Sequence, residues 1–294
     1  MQNFSNNNNN YINNNQTQIQ NPNPNISNNE VEDGELNNEE IPRAEERLFR
    51  NHANRSSIKS WTCNKVDTYE KVIQVGEGTF GKVYKARYKD FINNENNGNT
   101  NNSIKSEFVA LKKILMENEK EGFPLTAIRE IMILKRLNNK NIINLLEIVT
   151  SKPSEKNKNR GNVYLVFDYM EHDLSGLISR KFDFSIGLIK SILKQILLGL
   201  DYLHDNNIIH RDIKGANILL NNKGEVKLAD FGLARLHNPN PNQNKKYTNR
   251  VVTLWYRSPE LLLGATNYGT AIDIWSVGCV FAELLSGTSL FKGI

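Results

Sequence analysis

The sequence predicts an α+β protein of two lobes, a smaller β-rich one over about residues 69–167 and a helical one over about 168–294. Three observations predict it. β-prone runs at Lys82–Ala86 and Phe108–Lys112 are set off by glycine- and asparagine-rich turns. Ile189, Ile192, Leu193, Ile196, Leu197, Leu200 and Leu203 repeat at helical spacing as one core stripe. Asp273 to Leu285 is apolar nearly all round, which predicts a helix buried at the centre of its lobe.

Ahead of the lobes, residues 1–68 read as an extension without a core. Sixteen of the first 40 residues are Asn, residues 1–29 carry no charge, and residues 30–46 carry a net charge of −7. Such a head cannot bury enough apolar surface to offset its ordering entropy, so disorder is expected. The whole chain is +5, which leaves +12 on the remainder. Its basic residues do not alternate with aromatics as a nucleic-acid platform would, so direct nucleic-acid binding is not expected, and steering of an acidic partner accounts for the charge equally well. Two cysteines far apart, Cys63 and Cys279, argue against a disulfide framework and for a reducing compartment. No apolar run is of membrane-spanning length, so no membrane partner is expected and the reading is a soluble intracellular protein. Asn-rich stretches at Ile92–Asn99 and Ser151–Asn162 read as surface insertions.

Val75-Gly76-Glu77-Gly78-Thr79-Phe80-Gly81 fits G-x-G-x-x-G, a weak signal when it stands alone. A dinucleotide fold needs a helix after the last glycine. Here the β-prone Lys82-Val83-Tyr84-Lys85-Ala86 follows, so the glycines belong to a hairpin tip whose bare backbone can lie over phosphates. Phe108-Val109-Ala110-Leu111-Lys112 is a buried strand ending in a lysine. Arg129-Glu130 lies on a helix with Ile128, Ile131, Leu134 and Leu137 at helical spacing. A strand lysine behind a nucleotide loop can hold phosphates while Glu130 holds the lysine.

His210-Arg211-Asp212-Ile213-Lys214-Gly215-Ala216-Asn217 and Asp230-Phe231-Gly232 complete the pattern. Between them, Ile218–Leu220 and Glu225–Leu228 read as strands joined by the turn Asn221-Asn222-Lys223-Gly224. That hairpin brings Asn217 and Asp230 to one point, with Asp212 and Lys214 close by. An amide oxygen and a carboxylate suit a hydrated Mg²⁺ that carries phosphates, and the site reads as one for phosphoryl transfer.

Taken in order, these motifs resemble those of the eukaryotic protein kinases. Within that superfamily, Pro124-Leu125-Thr126-Ala127-Ile128-Arg129-Glu130, Arg250 to Arg257 and Ser258-Pro259-Glu260 resemble the cyclin-dependent kinases. Met116 to Pro124, Asp168 to Leu174 and Tyr247 to Arg250 resemble the transcriptional branch. That branch includes the kinase of positive transcription elongation factor b and the fungal Bur and carboxy-terminal-domain kinases. The resemblance runs from about Tyr69 to Ile294 and implies the bilobal protein-kinase fold.

It also implies roles. ATP and Mg²⁺ are the expected cofactors, with Lys112 on the α- and β-phosphates, Glu130 bracing it, and Asn217 and Asp230 on the metal. The backbone of Gly76, Gly78 and Gly81 covers the phosphates. Val75, Val83, Ala110 and Leu219 are expected to sandwich adenine, with Phe167 behind it, Asp168 and Met170 bonding its edge, and Asp173 near the ribose. Asp212 would orient the substrate hydroxyl and take its proton while Lys214 offsets charge. Thr248 is the expected activation phosphosite for an activating kinase, anchored by Arg129, Arg211 and Arg235. Val251 and Arg257 mark the substrate-proline pocket, and Asp273 is expected to hold the backbone around His210 and Arg211.

The implied partners are a cyclin on the Leu125–Glu130 helix, needed to bring Glu130 to Lys112, and proteins with Ser/Thr-Pro sites. The implied activity is proline-directed Ser/Thr phosphorylation, of the RNA polymerase II carboxy-terminal repeats in transcription elongation, in the nucleus. More helices follow this point in the family, including an arginine that pairs with the residue numbered here Glu260. The helical lobe is therefore expected to be incomplete at Ile294. The alternative reading is a catalytically silent kinase-like module that binds a cyclin or other partner.

Overall fold

The computed structural model describes residues 64–78, 81–89, 107–115, 123–154, 161–237 and 246–292, all within the compact unit Trp61–Ile294. The Asn-rich and acidic head, Cys63, Thr79, Phe80, the Ile92–Asn99 insertion, residues 116–122, most of the second insertion and Ile294 lie outside the described residues.

Six strands form the first sheet: β1 (Asn64–Lys65), β2 (Tyr69–Gly78), β3 (Gly81–Tyr88), β4 (Phe108–Ile114), β5 (Leu145–Thr150) and β6 (Val163–Asp168), in the order β1-β5-β6-β4-β3-β2. Every pairing is antiparallel except β1 with β5. The expected start of the lobe at Tyr69 falls inside this sheet, because Asn64 and Lys65 already pair with Val149 and Thr150. Glu147 explains the attachment: it accepts hydrogen bonds from Asn64 Nδ2 at 2.7 Å and from the Tyr69 hydroxyl. Val66, Tyr69, Ala86, Val109, Leu111, Val149, Tyr164 and Val166 make a small core of their own on one face of this sheet.

Helix α1 (Leu125–Leu134) packs Ala127, Glu130, Ile133 and Leu134 inward. It ends before Leu137, which is buried from the turn beyond it, and Ile128 faces outward. The four apolar positions read as one stripe are therefore split. The second lobe holds β7 (His172–Asp173), α2 (Leu174–Ser179), α3 (Ile186–Asp205), β8 (Ile208–Ile209), β9 (Ile218–Leu220), β10 (Val226–Leu228), β11 (Arg235–Leu236), α4 (Pro259–Leu262) and α5 (Ala271–Ser286). Ser185 caps α3, its hydroxyl accepting the Leu188 N–H. Ile189, Ile192, Ile196, Leu200 and Leu203 are buried as the stripe requires. Leu197 is 41% exposed, since it sits beside Leu198 on the flank of that face.

Helix α5 corrects a second expectation. Ile272, Asp273, Ser276, Val277, Val280 and Leu284 are buried along one face, whereas Ile274, Trp275, Phe281 and Leu285 are exposed on another. At 100° per residue these sets lie on different sides of the helix, and the first packs into the main core. The main core is continuous from Ile114, Ala127 and Leu165 through α3 to Val280 and Leu284. The β-lobe and the helical lobe thus share one apolar interior, and the groups described next sit along that join.

Candidate active site

The β2–β3 hairpin places Gly76 opposite Val83 and Gly78 opposite Gly81. Gly81 has φ +143°, and a Cβ there would stand 2.0 Å from the Lys113 carbonyl oxygen. No other residue fits that backbone. A Cβ on Gly76 would meet only Val83 Cβ at 4.0 Å, so this glycine leaves open space above the strand. Val83 is cross-strand from Lys112, and Ala110, two residues before Lys112, shares its face of the sheet. Ala110 pairs with the buried Phe167. Ala110, Met170 and Leu219 line up as half-buried residues against the main core, while Val75 stays exposed. Asp168 pairs in the sheet with Val109, and its carboxylate lies 3.5 Å from Lys227 Nζ. Asp173 acts locally, since its Oδ1 accepts the Gly176 N–H at 2.7 Å and caps α2.

Lys112 Nζ reaches Glu130 Oε1 at 2.7 Å and Asp230 Oδ1 at 3.0 Å. Burial opposes the charge on Lys112, but the two carboxylates outweigh it and hold the ammonium above its ordinary range. Burial likewise opposes charge on Asp230. The Lys112 ammonium, His210 and the Gly232 N–H overcome it and hold this carboxyl below the usual aspartate range. The expectation that a partner must first deliver Glu130 to Lys112 is not met. Helix α1 is already seated by Ala127, Ile133 and Leu134, and that packing alone carries Glu130 inward.

The His210–Asn217 loop is held from below and from within. Asp273, 1% exposed, accepts His210 N at Oδ2 and Arg211 N at Oδ1, both at 2.9 Å, as expected. His204 Nε2 contacts the same Oδ2 at 3.0 Å. A buried carboxylate requires such partners. Asp212 N donates to His210 Nδ1 at 3.3 Å, which leaves the ring proton on Nε2, 3.1 Å from the Ala229 carbonyl. Asp212 Oδ2 accepts Lys214 Nζ at 2.8 Å and Asn217 Nδ2 at 2.9 Å, and its Oδ1 accepts the Thr253 hydroxyl at 3.2 Å. Asp212, Lys214, Asn217 and Thr253 are thus one cluster, and Asp230 joins it from the other hairpin end, where Ala229 N bonds Asn217 O at 2.9 Å.

A cation carried by phosphates fits this donor set. Asn217 spends its Nδ2 on Asp212, which turns the amide oxygen to other uses, and Asp230 is held ionised. No cluster of three His, Cys, Asp or Glu suited to a metal occurs among the described residues. Mg²⁺ needs only one or two protein oxygens when phosphates and water supply the rest.

The segment after Asp230 is tied to the loop by Arg211, whose φ is +67°. Its Nε donates to Leu233 O at 2.7 Å and its Nη1 to the Tyr268 hydroxyl at 2.9 Å, while the buried Nη2 has no partner among the described residues. Thr248 is exposed. Arg235 Nη1 bonds Ala234 O, and Arg129 makes no hydrogen bond or ion pair among the described residues. Arg257 donates from Nε to Val251 O and from Nη2 to Val252 O, both at 3.0 Å, fixing Val252 at φ +64°. Tyr256 anchors this turn to α5 through Glu283 at 2.8 Å and Ser276 at 2.8 Å. Leu125, 54% exposed, and Ile128 present apolar surface on α1. Sequence reasoning did not assign Thr253, Tyr268, His204 or Glu283.

A family model described as protein kinase domain matches residues 69–294. Cyclin-dependent kinase C-2 of Oryza sativa subsp. japonica is 53% identical over 244 residues, covering 80% of this chain and 44% of that protein. Cyclin-dependent kinase 12 of Drosophila melanogaster is 52% identical over 248 residues, covering 83% of this chain and 20% of that protein. Cyclin-dependent kinase 9 of Homo sapiens is 48% identical over 239 residues, covering 81% and 60%. The chain spans about a fifth to three fifths of the length of these curated relatives. No helix among the described residues is long and apolar enough to cross a membrane.

Proposed function

The chain belongs to the protein kinase family, and on that premise we propose that it is a cyclin-dependent, proline-directed Ser/Thr kinase of the transcriptional branch. Kinases of this family use ATP with a divalent metal ion. The observation that carries the reading is the Asp212 carboxylate, shared by Lys214, Asn217 and Thr253 beside the Lys112–Asp230 contact.

Lys112, kept charged by Glu130 and Asp230, grips the α- and β-phosphates of ATP. Val75, Val83, Ala110 and Leu219 bracket the adenine, Phe167 backs it, the backbone of Asp168 and Met170 bonds its edge, and Asp173 lies by the ribose. Gly76, Gly78 and Gly81 keep side chains clear of the phosphates. Asn217 and Asp230 hold Mg²⁺, which when bound neutralises charge on the phosphate oxygens. Asp212 orients the substrate hydroxyl and accepts its proton, and Lys214 offsets charge on the transferring group. Both Lys214 and Thr253 aim the carboxylate, so that little reorganisation remains at the moment of transfer.

Val251 and Arg257 shape the seat for the proline that follows the phosphorylated residue. Arg257 occupies both valine carbonyls, so neither is left to accept an N–H from the residue after the phosphorylated one, and proline has no N–H that needs an acceptor. Leu125 and Ile128 form the cyclin-facing surface of α1. Thr248, once phosphorylated by an activating kinase, presents a dianion to Arg211, Arg235 and Arg129. The substrate we propose is the RNA polymerase II carboxy-terminal repeat, in the nucleus.

The test is turnover of a Ser-Pro repeat peptide by the cyclin-bound chain with Mg·ATP. Asp212→Asn should remove turnover by about 10³-fold or more while ATP binding persists. Wild-type-like rates in that variant, or partner binding with no turnover in the wild type, would overturn the assignment, the latter in favour of a binding module.

A further inference from the structure

We propose that Tyr268 is a positioning residue that fastens the Thr248 segment to the catalytic-loop arginine without any phosphate. Phosphorylation then reinforces an existing link. This rests on the kinase reading above and specifies how its Thr248 site is regulated.

The geometry is a two-step relay. Arg211 Nη1 donates to the Tyr268 hydroxyl at 2.9 Å, and that hydroxyl donates its own proton to the Thr248 carbonyl oxygen at 2.5 Å. The hydroxyl thus uses both its donor and an acceptor site, and it bridges the buried guanidinium and the segment that carries Thr248. Tyr268 itself cannot swing away. It is 6% exposed, and its ring packs on Tyr247 at 5.3 Å between centroids. Tyr247 in turn is pinned by its N–H on Thr266 O at 2.7 Å and its hydroxyl on Leu236 O at 3.2 Å. Two rings, from the segments on either side of the Val251–Pro259 stretch, therefore clamp the Thr248 backbone while its side chain faces solvent.

What the relay leaves over is equally informative. Arg211 Nη2 is buried with no partner among the described residues, in the same guanidinium that Tyr268 engages. A buried orphan donor is costly. A phosphate on the exposed Thr248 hydroxyl can reach for that donor without displacing Tyr268, because the relay uses only the Thr248 carbonyl. Tyrosine and phosphate therefore act on different atoms of the same arginine, and each should matter most when the other is missing.

Tyr268→Phe keeps the ring and its packing and deletes the hydroxyl alone. In the full chain, unphosphorylated and without partner, backbone amide exchange over residues 246–252 should speed about fivefold, the scale of one hydrogen bond. Trypsin cleavage at Arg250 should speed with it, while cooperative thermal unfolding persists. In the cyclin complex, Tyr268→Phe should lower kcat about fivefold in a Thr248→Ala background and less than about twofold when Thr248 is phosphorylated, with the KM for ATP unchanged. Unchanged exchange and cleavage in Tyr268→Phe would overturn the proposal, as would equal losses of kcat in both backgrounds. The exchange and cleavage readouts need no turnover, so an inactive wild-type complex would sink the kinase reading and leave this one to be decided separately.

Discussion

Replacing Asp273 with Asn tests the anchor beneath the catalytic loop. The carboxylate is buried and accepts two backbone N–H groups at 2.9 Å, one on each oxygen, plus the His204 ring. An amide has one oxygen and one NH₂. Whichever way Asn turns, one of His210 N and Arg211 N must face a donor. The variant loses one hydrogen bond to a charged acceptor, worth about 1.5–3 kcal/mol, and buries an unsatisfied N–H at about 1–3 kcal/mol. The sum is about 2.5–6 kcal/mol. For a domain of this size about 2–4 °C of Tm goes with each kcal/mol, so Tm should fall by about 5–24 °C. Arg211, held at φ +67° by these bonds, should relax, and amide exchange at residues 208–213 should rise more than elsewhere. Calorimetry and exchange on the same preparation provide both readouts. A Tm within about 1 °C of wild type would refute the argument, since one N–H must lose its acceptor.

Three further outcomes are expected. Gly81→Ala should lower Tm by about 5 °C or more, because its Cβ meets Lys113 O at 2.0 Å, whereas Gly76→Ala should fold normally and weaken ATP binding instead; equal Tm values for the two would contradict the backbone reading. The Asp230 carboxyl has its pKa depressed in the fold, so its stabilising contribution is present above the ordinary aspartate value near 3.8 and is lost as pH falls through the folded value. Urea titrations should thus show the stability margin of wild type over Asp230→Asn shrinking on acidification below about pH 4, and a margin that widens would reverse the sign of the argument. Leu125→Asp with Ile128→Asp should abolish cyclin capture at unchanged Tm, since both side chains face outward; a large Tm loss would mean that they belong to the core.

Much of the site was legible because it is written in short segments. The Ile218–Leu220 and Val226–Leu228 hairpin closes by local turn chemistry, and with it Asn217 and Asp230 come together whatever the rest of the chain does. Lys112 and Glu130 follow from a strand and a helix joined by a short stretch, and Gly81 from a backbone that only glycine adopts. The capping of α2 by Asp173 was also readable, as an aspartate just before an apolar run.

The amino-acid sequence by itself determined the family and the two-lobed α+β architecture. Only the tertiary structure decided which residues hold the groups of the candidate site in place. Thr253 meets Asp212 across 41 positions, Tyr268 meets Arg211 across 57, and His204 meets Asp273 across 69. None carries a local pattern that marks it, because a hydrogen bond between distant segments depends on how helices and loops pack rather than on the residues beside it. The same holds for the two faces of α5. Composition made it apolar all round, but burial is a property of what lies opposite, and that is decided by the fold.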